Sequence, residues 1–317
     1  MDTPLIETRN LTKYFNTPKG LLHAVEKINI SIAKRKTLGV VGESGCGKST
    51  LGRTILRLLE PTGGDILYNG KSIIGYNKKQ MKDMHAKMQI IFQDPFTSLN
   101  PRMTVSDIIA EPMKVSRIYG SAAERENKVE QLMETVGLAR RFINTFPHEL
   151  DGGRRQRIGI ARALAIHPEF IVCDEPVSAL DVSIQAQILN LMMDLQEDIG
   201  LTYMFITHDL SVIKHISQHI AVMYLGHCVE TSKTDDLFKN PLHPYTQALL
   251  AAIPSPSIRN KKVLETLRGE VTSPINPKPG CRFADRCAVA TAECREHDFE
   301  LRDIGGNGHY VACRLHS

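Results

Sequence analysis

A glycine-rich run, GESGCGKST at residues 42–50, carries the clearest chemical signal in the sequence, with the spacing G-x-x-x-x-G-K-[ST]. Glycines let backbone N–H groups turn toward one point, because no Cβ stands in the way. Lys48 adds a positive charge there, and Ser49 offers a hydroxyl to a Mg²⁺ ion that bridges phosphates. The run predicts a loop that binds the phosphates of a nucleoside triphosphate. The candidate binding residues are Gly42, Ser44, Gly45, Cys46, Gly47, Lys48, Ser49 and Thr50.

The elements on either side of this run are those that such a loop needs. An apolar run at 38–41 precedes it, and apolar residues at helical spacing over 51–59 follow it. Strand, glycine loop and helix is the context that turns this motif from a chance match into a prediction. A chance glycine turn is the alternative, and the flanking elements argue against it.

A second strand signal ends in two adjacent carboxylates. FIVCDEP occupies residues 170–176, with four apolar residues before Asp174 and Glu175. A buried parallel strand delivers such carboxylates at its carboxyl end. Asp174 suits the ligand shell of Mg²⁺, and Glu175 can orient or deprotonate an attacking water. The pair is a weak signal alone and a strong one together with the glycine loop.

Composition and charge limit the classes of protein. The chain has 317 residues, a net charge of +4 and 42% hydrophobic residues, as in an ordinary globular protein. Its N-terminus lacks the pattern of a signal peptide, and no apolar run approaches the roughly 20 residues that span a bilayer. We expect a cytosolic protein whose membrane role depends on a partner. Seven cysteines in that compartment indicate thiols or metal ligands before disulfides.

A third motif, HELDGGRRQRIGIARAL at 148–164, lies between these two strands. With the glycine loop, it makes the chain resemble the ATP-binding subunits of ABC transporters over nearly its whole length. The resemblance implies an α/β P-loop NTPase fold with a mixed or parallel sheet core. It also implies an ABC ATPase domain at 1–253, a helical subdomain at about 95–167 and a cysteine-bearing C-terminal tail at 254–317.

The resemblance assigns further site residues. Gln93 would contact Mg²⁺ and water, His208 would contact the γ-phosphate, and Asp181 lies in the loop that crosses to a partner subunit. Phe15, or its neighbour Tyr14, would stack on adenine. Taken singly, Gln93 could be a surface amide, His208 a strand-end histidine and Phe15 a core aromatic. The family signature that covers the partner's ATP would be formed by Leu150, Asp151, Gly152 and Gly153.

The signature departs from the family pattern LSGGQ, because it reads LDGGR here. Asp151 would place a carboxylate near the γ-phosphate of the partner's ATP. Two like charges about 4 Å apart repel by about 4 kcal/mol at an effective dielectric constant of about 20. Arg154 could offset this charge, and Asp151 could simply cap the helix. Our hypothesis is that Asp151 weakens hydrolysis at the partner's loop, so that the subunit works in an asymmetric pair.

Arginines on the same stretch could suggest nucleic acid. We interpret most of them as a solvated or interface face of a helix, and we expect no nucleic-acid partner. They are Arg154, Arg155, Arg157 and Arg162.

A cluster of cysteines follows residue 280. Thiolates at Cys281, Cys287, Cys294 and Cys313 suit an iron–sulfur cluster or zinc, and the missing C-x2-C pair argues mildly against zinc. Unliganded thiols are a further alternative. The run NPLHPYT at 240–246 and this tail resemble the oligopeptide, dipeptide and nickel importer branch. That resemblance implies a [4Fe-4S] cluster, with zinc less favoured.

These features together predict a Mg²⁺-dependent ATPase subunit that powers peptide import. The resemblance implies a second ABC ATPase subunit in a heterodimer, two transmembrane permease subunits and, indirectly, an extracytoplasmic substrate-binding protein. The subunit would lie at the cytoplasmic face of the membrane. One alternative is a regulatory ATP-binding subunit of the same complex. Another is an ABC ATPase of DNA repair or translation, for which the chain lacks a long coiled coil or a second cassette.

Overall fold

The computed structural model describes residues 3–253 and 272–316, so residues 254–271 of the predicted tail lie outside the described residues. The chain divides into two compact units. The first unit comprises Met1–Ala33, Thr37–Ile74 and Phe205–Ser317, and the second comprises Lys34–Lys36 and Gly75–Met204.

The described residues form both strands and helices. The strands are β1 Ile6–Thr17, β2 Gly20–Ile28, β3 Ser31–Ile32, β4 Thr37–Val41, β5 Gly63–Tyr68, β6 Lys71–Ser72, β7 Met88–Ile91, β8 Phe170–Asp174, β9 Thr202–Ile206, β10 His219–Tyr224, β11 His227–Lys233, β12 Arg302–Asp303 and β13 Tyr310–Val311. The helices are α1 Lys48–Ile55, α2 Lys78–Lys87, α3 Pro95–Ser98, α4 Val105–Ser116, α5 Ala122–Thr135, α6 Gly152–Leu164, α7 Val182–Ile199, α8 Leu210–Ile216, α9 Thr234–Lys239, α10 Pro244–Ala251 and α11 Ala292–Glu296. Short 3-10 turns cover Arg140–Phe142, Pro147–Glu149, Ala284–Arg286 and Arg314–His316.

An antiparallel sheet forms one part of the first unit. Its strand order is β2-β1-β5-β6, and β3 also pairs with β1. A tight turn joins β1 to β2, where the Thr17 hydroxyl donates to the Gly20 carbonyl at 2.7 Å. Leu11 pairs with Ile28, and both side chains are buried. This buried pair favours the register at that end of the ladder, since a one-residue slip would turn the apolar side chains to the other face. The register then shifts between Leu11 and Tyr14.

A second run of strands in the first unit, in the order β12-β13-β11-β10-β4, carries the glycine loop. Strand β4 is buried along its whole length and runs parallel to β10, with Leu38 opposite His219 and Val41 opposite Val222. The loop leaves the carboxyl end of β4 and leads into α1. The predicted strand–loop–helix unit is therefore present, although α1 ends at Ile55 rather than extending over the apolar pattern to residue 59.

The second unit combines a parallel strand pair with helices. Strands β7 and β8 run parallel, from Met88 opposite Phe170 to Ile91 opposite Cys173. Helix α6 contacts α3, α4 and α5, and its buried side chains include Ile158 and Leu164. Residues 95–167, all of them described, contain α3 to α6 and two 3-10 turns. Their role as a separate subdomain stays a prediction.

A fully buried carboxylate anchors the C-terminal part of the first unit. Glu230 accepts hydrogen bonds from the backbone N–H groups of Leu242 at 2.8 Å and His243 at 2.9 Å, and contacts His309 Nε2 at 2.7 Å. His243 in turn caps α10, where its Nδ1 accepts from the Tyr245 N–H at 3.0 Å. Burial lowers the pKa of His243 to about 3, so the ring is neutral and free to accept this bond.

We predict that Glu230→Ala lowers the free energy of unfolding by about 3–5 kcal/mol, because it leaves buried donors without an acceptor. Glu230→Gln should cost less, since its amide oxygen still accepts one of the N–H groups. Urea unfolding followed by circular dichroism measures both. Asp285→Ala is the control: Asp285 pairs with Arg295 on the surface, and its loss should cost about 0.5 kcal/mol or less. Equal losses for Glu230→Ala and Asp285→Ala would contradict the prediction.

Candidate nucleotide site

The glycine loop is shaped by close backbone contacts within the first unit. A Cβ on Gly47 would lie 2.0 Å from the Ala24 carbonyl oxygen, and one on Gly42 would lie 2.1 Å from the Met223 carbonyl oxygen. Both glycines have positive φ, +102° and +153°. Any side chain at these positions would collide with the backbone, so glycine is a steric requirement there.

Lys48 lies at the centre of this loop. Its side chain is 4% exposed, and its Nζ donates to the carbonyl oxygens of Gly42 at 2.8 Å and Glu43 at 2.9 Å. Cys46 packs beside it, and burial raises the pKa of the Cys46 thiol, which stays protonated as a small core residue. The loop therefore surrounds the Lys48 ammonium group, which lies next to the N-terminus of α1.

Helix α1 begins at Lys48, with Gly47 in the N-cap position. Ser49 and Thr50 are the next residues, so their hydroxyls lie in the first turn. The N–H groups and partial positive charge of a helix N-terminus favour phosphate. The local geometry thus fits the predicted phosphate-binding loop.

The second unit brings the predicted Gln93 and Glu175 together. Gln93 Nε2 donates to Glu175 Oε2 at 2.9 Å, across 82 residues of sequence. Asp174 ends β8 and is 1% exposed, whereas Glu175 takes a left-handed backbone with φ +48°. This turn redirects the chain, so adjacent carboxylates differ in burial: Asp174 is buried, and Glu175 is half-buried.

The signature residues surround the start of α6, also in the second unit. Asp151 caps the helix, since its Oδ1 accepts from the Arg154 N–H at 2.8 Å, and Arg154 Nη1 donates to its Oδ2 at 2.6 Å. Both side chains are exposed. A Cβ on Gly153 would lie 2.7 Å from Ile184 Cγ2, so this glycine lets α6 approach α7. Leu150 is buried, and Gly152 begins the helix.

Three of the four arginines on this stretch do not form a solvated face, and the alternative, an interface face, stays a prediction. Only Arg154 of the four is exposed; the others are half-buried and donate to backbone carbonyl groups at the ends of neighbouring helices and turns. The bonds run from Arg155 to Pro147, from Arg157 to Val136 and from Arg162 to Ser98. Long basic side chains here tie α6 to backbone carbonyl groups of the elements around it.

The remaining predicted residues lie in three places. His208 is exposed between β9 and α8, in the first unit, and Asp181 is exposed at the N-cap position of α7, in the second. Phe15 is half-buried on β1, with Lys13 Nζ 4.8 Å from its ring centroid. Tyr14, the alternative for adenine stacking, instead stacks on the His23 ring.

Four cysteines of the C-terminal region line one cavity in the first unit, together with His243 and Phe283. The four are Cys281, Cys287, Cys294 and Cys313. The cavity measures about 20 Å³, which is room for about one water molecule. Within residues 3–253 and 272–316, no group of three or more His, Cys, Asp or Glu side chains is arranged to hold a metal ion. Thiol donors of this kind suit a soft metal.

The protonation of these thiols is not uniform. Burial raises the pKa of Cys281 to about 11 and also raises that of Cys313. The pKa of Cys294 is lowered: burial acts to raise it, but hydrogen bonds from Thr291 and Arg314 outweigh burial. Cys294 is thus the thiol most ready to ionise of these three.

Sequence reasoning missed two residues that hold the glycine loop from the C-terminal region. The Tyr245 hydroxyl accepts from the Glu43 N–H at 2.9 Å, and Arg286 makes two hydrogen bonds to the Glu43 carboxylate. Their only sequence signals were the NPLHPYT run and the arginine next to Cys287.

Comparison with known proteins decides the family. Residues 25–178 match the ABC transporter model, and residues 229–294 match the oligopeptide/dipeptide transporter C-terminal region. The oligopeptide transport ATP-binding protein AppF of Bacillus subtilis (strain 168) is 49% identical over 99% of this chain and 98% of its own length. The chain belongs to the ABC transporter ATP-binding family. The oligopeptide transport ATP-binding protein OppF of the same organism is 55% identical over 81% of this chain and 84% of its own length.

Solved ABC cassettes share the fold. A dimeric ATP-binding cassette in a post-hydrolysis state, bound to ADP and phosphate, has a TM-score of 0.67 and 28% identity, covering 72% of this chain and 98% of its own. CbiO1 of Clostridium perfringens, part of an ABC transporter complex, has a TM-score of 0.67 and 25% identity, covering 75% of this chain and 92% of its own. The predicted fold and family are confirmed, and the chain is an ABC-type ATPase. Among its described helices, none is long and apolar enough to cross a membrane.

Proposed function

We propose that this chain hydrolyses ATP to power peptide import through a membrane ABC transporter. The observation that carries the ATPase part is Lys48, buried at the centre of a loop that excludes side chains at Gly42 and Gly47. The peptide cargo is supported by the match of residues 229–294 and by relatives that are named oligopeptide transport ATP-binding proteins.

The proposed reaction divides the work among this chain's own side chains. Lys48 and the loop amides bind the phosphates, and Phe15 stacks on adenine. Glu175 positions the attacking water with Gln93 as its hydrogen-bond partner, and His208 contacts the γ-phosphate. Ser49, Gln93 and Asp174 would hold Mg²⁺, which neutralises phosphate charge when bound.

The assembly follows from the same proposal. The chain pairs with a second ABC ATPase in a heterodimer, docks on two permease subunits at the cytoplasmic face of the membrane and serves an extracytoplasmic substrate-binding protein indirectly. Residues 1–253 form the ATPase domain, with 95–167 as the helical subdomain, and 254–317 form the tail. In the pair, Asp181 reaches toward the partner, and the signature of each subunit covers the other's ATP.

Asp151 makes the pair asymmetric in this proposal. Its carboxylate faces the partner's γ-phosphate in place of the serine of the family pattern. The ion pair with Arg154 supports a reduced rather than abolished effect, because the guanidinium offsets most of the added charge. The helix itself loses nothing, since aspartate is as good a cap as serine.

The four-cysteine cavity is proposed to hold a thiolate-bound metal group, a [4Fe-4S] cluster ahead of zinc. Four thiols line one cavity although the first and last, Cys281 and Cys313, are 32 residues apart in the sequence, and this supports a shared ligand. The proposed role is structural, since the group would tie Cys313 to the segment that begins at Cys281.

The ATPase proposal is tested with Glu175→Gln in the transporter reconstituted with its partner ATPase and permeases. We expect ATP turnover to fall by about 10²–10⁴-fold, because the water loses its base. Glu197→Gln, an exposed carboxylate on the same unit, is the control and should leave turnover unchanged. Turnover that stays within twofold of wild type in Glu175→Gln would show that this chain does not drive hydrolysis.

The role of Asp151 is tested with Asp151→Ser and Asp151→Asn in the same assembly. Both keep a helix cap and remove the negative charge, and each should raise ATP turnover by about fivefold, equivalent to about 1 kcal/mol of barrier. Unchanged turnover in both variants would restrict Asp151 to helix capping.

The metal proposal is tested by iron, sulfide and zinc analysis of anaerobically purified protein. We expect about four irons per chain and a broad absorption near ~400 nm, both lost in Cys287→Ser. Cys228→Ser is the control, because this thiol is buried outside the cavity. Zinc in place of iron would correct the identity of the proposed metal. If the protein contains neither metal, the proposal of a metal group in this cavity is wrong.

A further inference from the structure

Arg286 of the cysteine segment, defined here as residues 281–295, reaches the phosphate loop. Its Nη1 donates to Glu43 Oε2 at 2.7 Å, and its Nη2 donates to Glu43 Oε1 at 3.0 Å. The two bonds form the parallel fork in which arginine matches a carboxylate. Glu43 lies inside the loop, directly after Gly42. A residue 243 positions away in sequence therefore holds a residue of the phosphate loop.

This ion pair is mostly shielded from water. The side chain of Arg286 is 7% exposed and that of Glu43 is 26% exposed. Arg286 also approaches the Tyr224 hydroxyl at 3.4 Å. Shielded pairs feel less screening than surface pairs, so the loss of one partner leaves a poorly solvated charge behind. The contact differs in this respect from the exposed pair between Arg295 and Asp285 in the same segment.

The backbone of Glu43 is held from the same side. Its N–H donates to the Tyr245 hydroxyl at 2.9 Å, and the Tyr245 ring packs against Phe283 with 5.3 Å between centroids. Phe283 lies between Cys281 and Cys287 and lines the four-cysteine cavity. Side chain and backbone of one loop residue are thus both tied to the packing around the thiols.

The negative charge of Glu43 means that its contact with Arg286 affects phosphate binding at the loop. A carboxylate within the loop repels a phosphate that binds there, and a paired guanidinium cancels most of that repulsion. The Glu43 carbonyl also accepts one of the two Lys48 hydrogen bonds, so a shift of Glu43 changes where the Lys48 ammonium lies. Arg282, next to Cys281, acts elsewhere, since it bonds to the Leu225 carbonyl and Glu26.

We propose that Arg286 is a positioning residue of the phosphate loop: it neutralises and orients Glu43, and so couples nucleotide affinity to the packing of the cysteine segment. The inference rests on the proposed nucleotide site at this loop. It adds a regulatory input, because any change at the thiols that displaces Arg286 weakens nucleotide binding.

The first test measures the dissociation constant of MgADP by calorimetry with the full chain. Arg286→Gln should weaken binding about tenfold, because it leaves the Glu43 carboxylate uncompensated. The double variant Glu43→Gln/Arg286→Gln should bind within about threefold of wild type, since both charges are then gone. The affinity of Arg286→Lys for MgADP should lie between those of wild type and Arg286→Gln, because lysine keeps the charge but cannot make the two parallel hydrogen bonds. Arg295→Gln is the matched control in the same segment and should bind like wild type.

The second test asks whether the thiols act through Arg286. Cys287→Ser should raise the dissociation constant of MgADP about tenfold in the wild-type background and about as much in the Arg295→Gln background. In the Arg286→Gln background, Cys287→Ser should raise it further by less than about twofold, because the contact between Arg286 and Glu43 is already lost. Thermal unfolding of each variant separates a loss of affinity from a loss of fold.

Each outcome decides between the two proposals. Wild-type protein without measurable MgADP binding would overturn both the nucleotide site and this inference. Normal wild-type binding with no weakening in Arg286→Gln, or weakening without rescue by Glu43→Gln, would overturn the inference alone. Additive effects of Cys287→Ser and Arg286→Gln would overturn the coupling to the cysteine segment.

Discussion

The contact between backbone carbonyl groups and the glycines of the phosphate loop is the constraint on which the first unit depends. The Ala24 carbonyl belongs to β2, and the Met223 carbonyl belongs to β10. Two different strand systems must therefore approach the same loop within van der Waals contact. Only residues without a side chain permit this approach, and the result is a loop whose shape is set before any ligand arrives.

Local chemistry predicted the parts of the site that neighbouring residues build. The loop needs its glycines, a strand before it and a helix after it, and all of these are close neighbours in the sequence. Asp174 at the end of a buried apolar strand is equally local. The contact between Gln93 and Glu175 spans 82 residues, and a motif can place the two in order without giving their geometry.

The errors have a physical cause as well. The helical spacing of arginines on α6 indicated a solvated or interface face, but spacing does not show which backbone carbonyl groups lie within reach. Arg155, Arg157 and Arg162 donate to such carbonyl groups. The four cysteines line one cavity, but their role as metal ligands stays a prediction. His243 and Phe283 also line this cavity, which cysteine spacing does not reveal.

The fork between Arg286 and Glu43 also has a consequence for biosynthesis. Translation proceeds at about 5–20 residues per second, so residue 286 emerges many seconds after residue 43. Throughout that interval, the nascent chain carries a glycine loop whose carboxylate has no guanidinium beside it. Contacts of such high sequence separation form late, because loop closure must precede them. The phosphate loop is therefore completed by a residue that is encoded 243 positions after it.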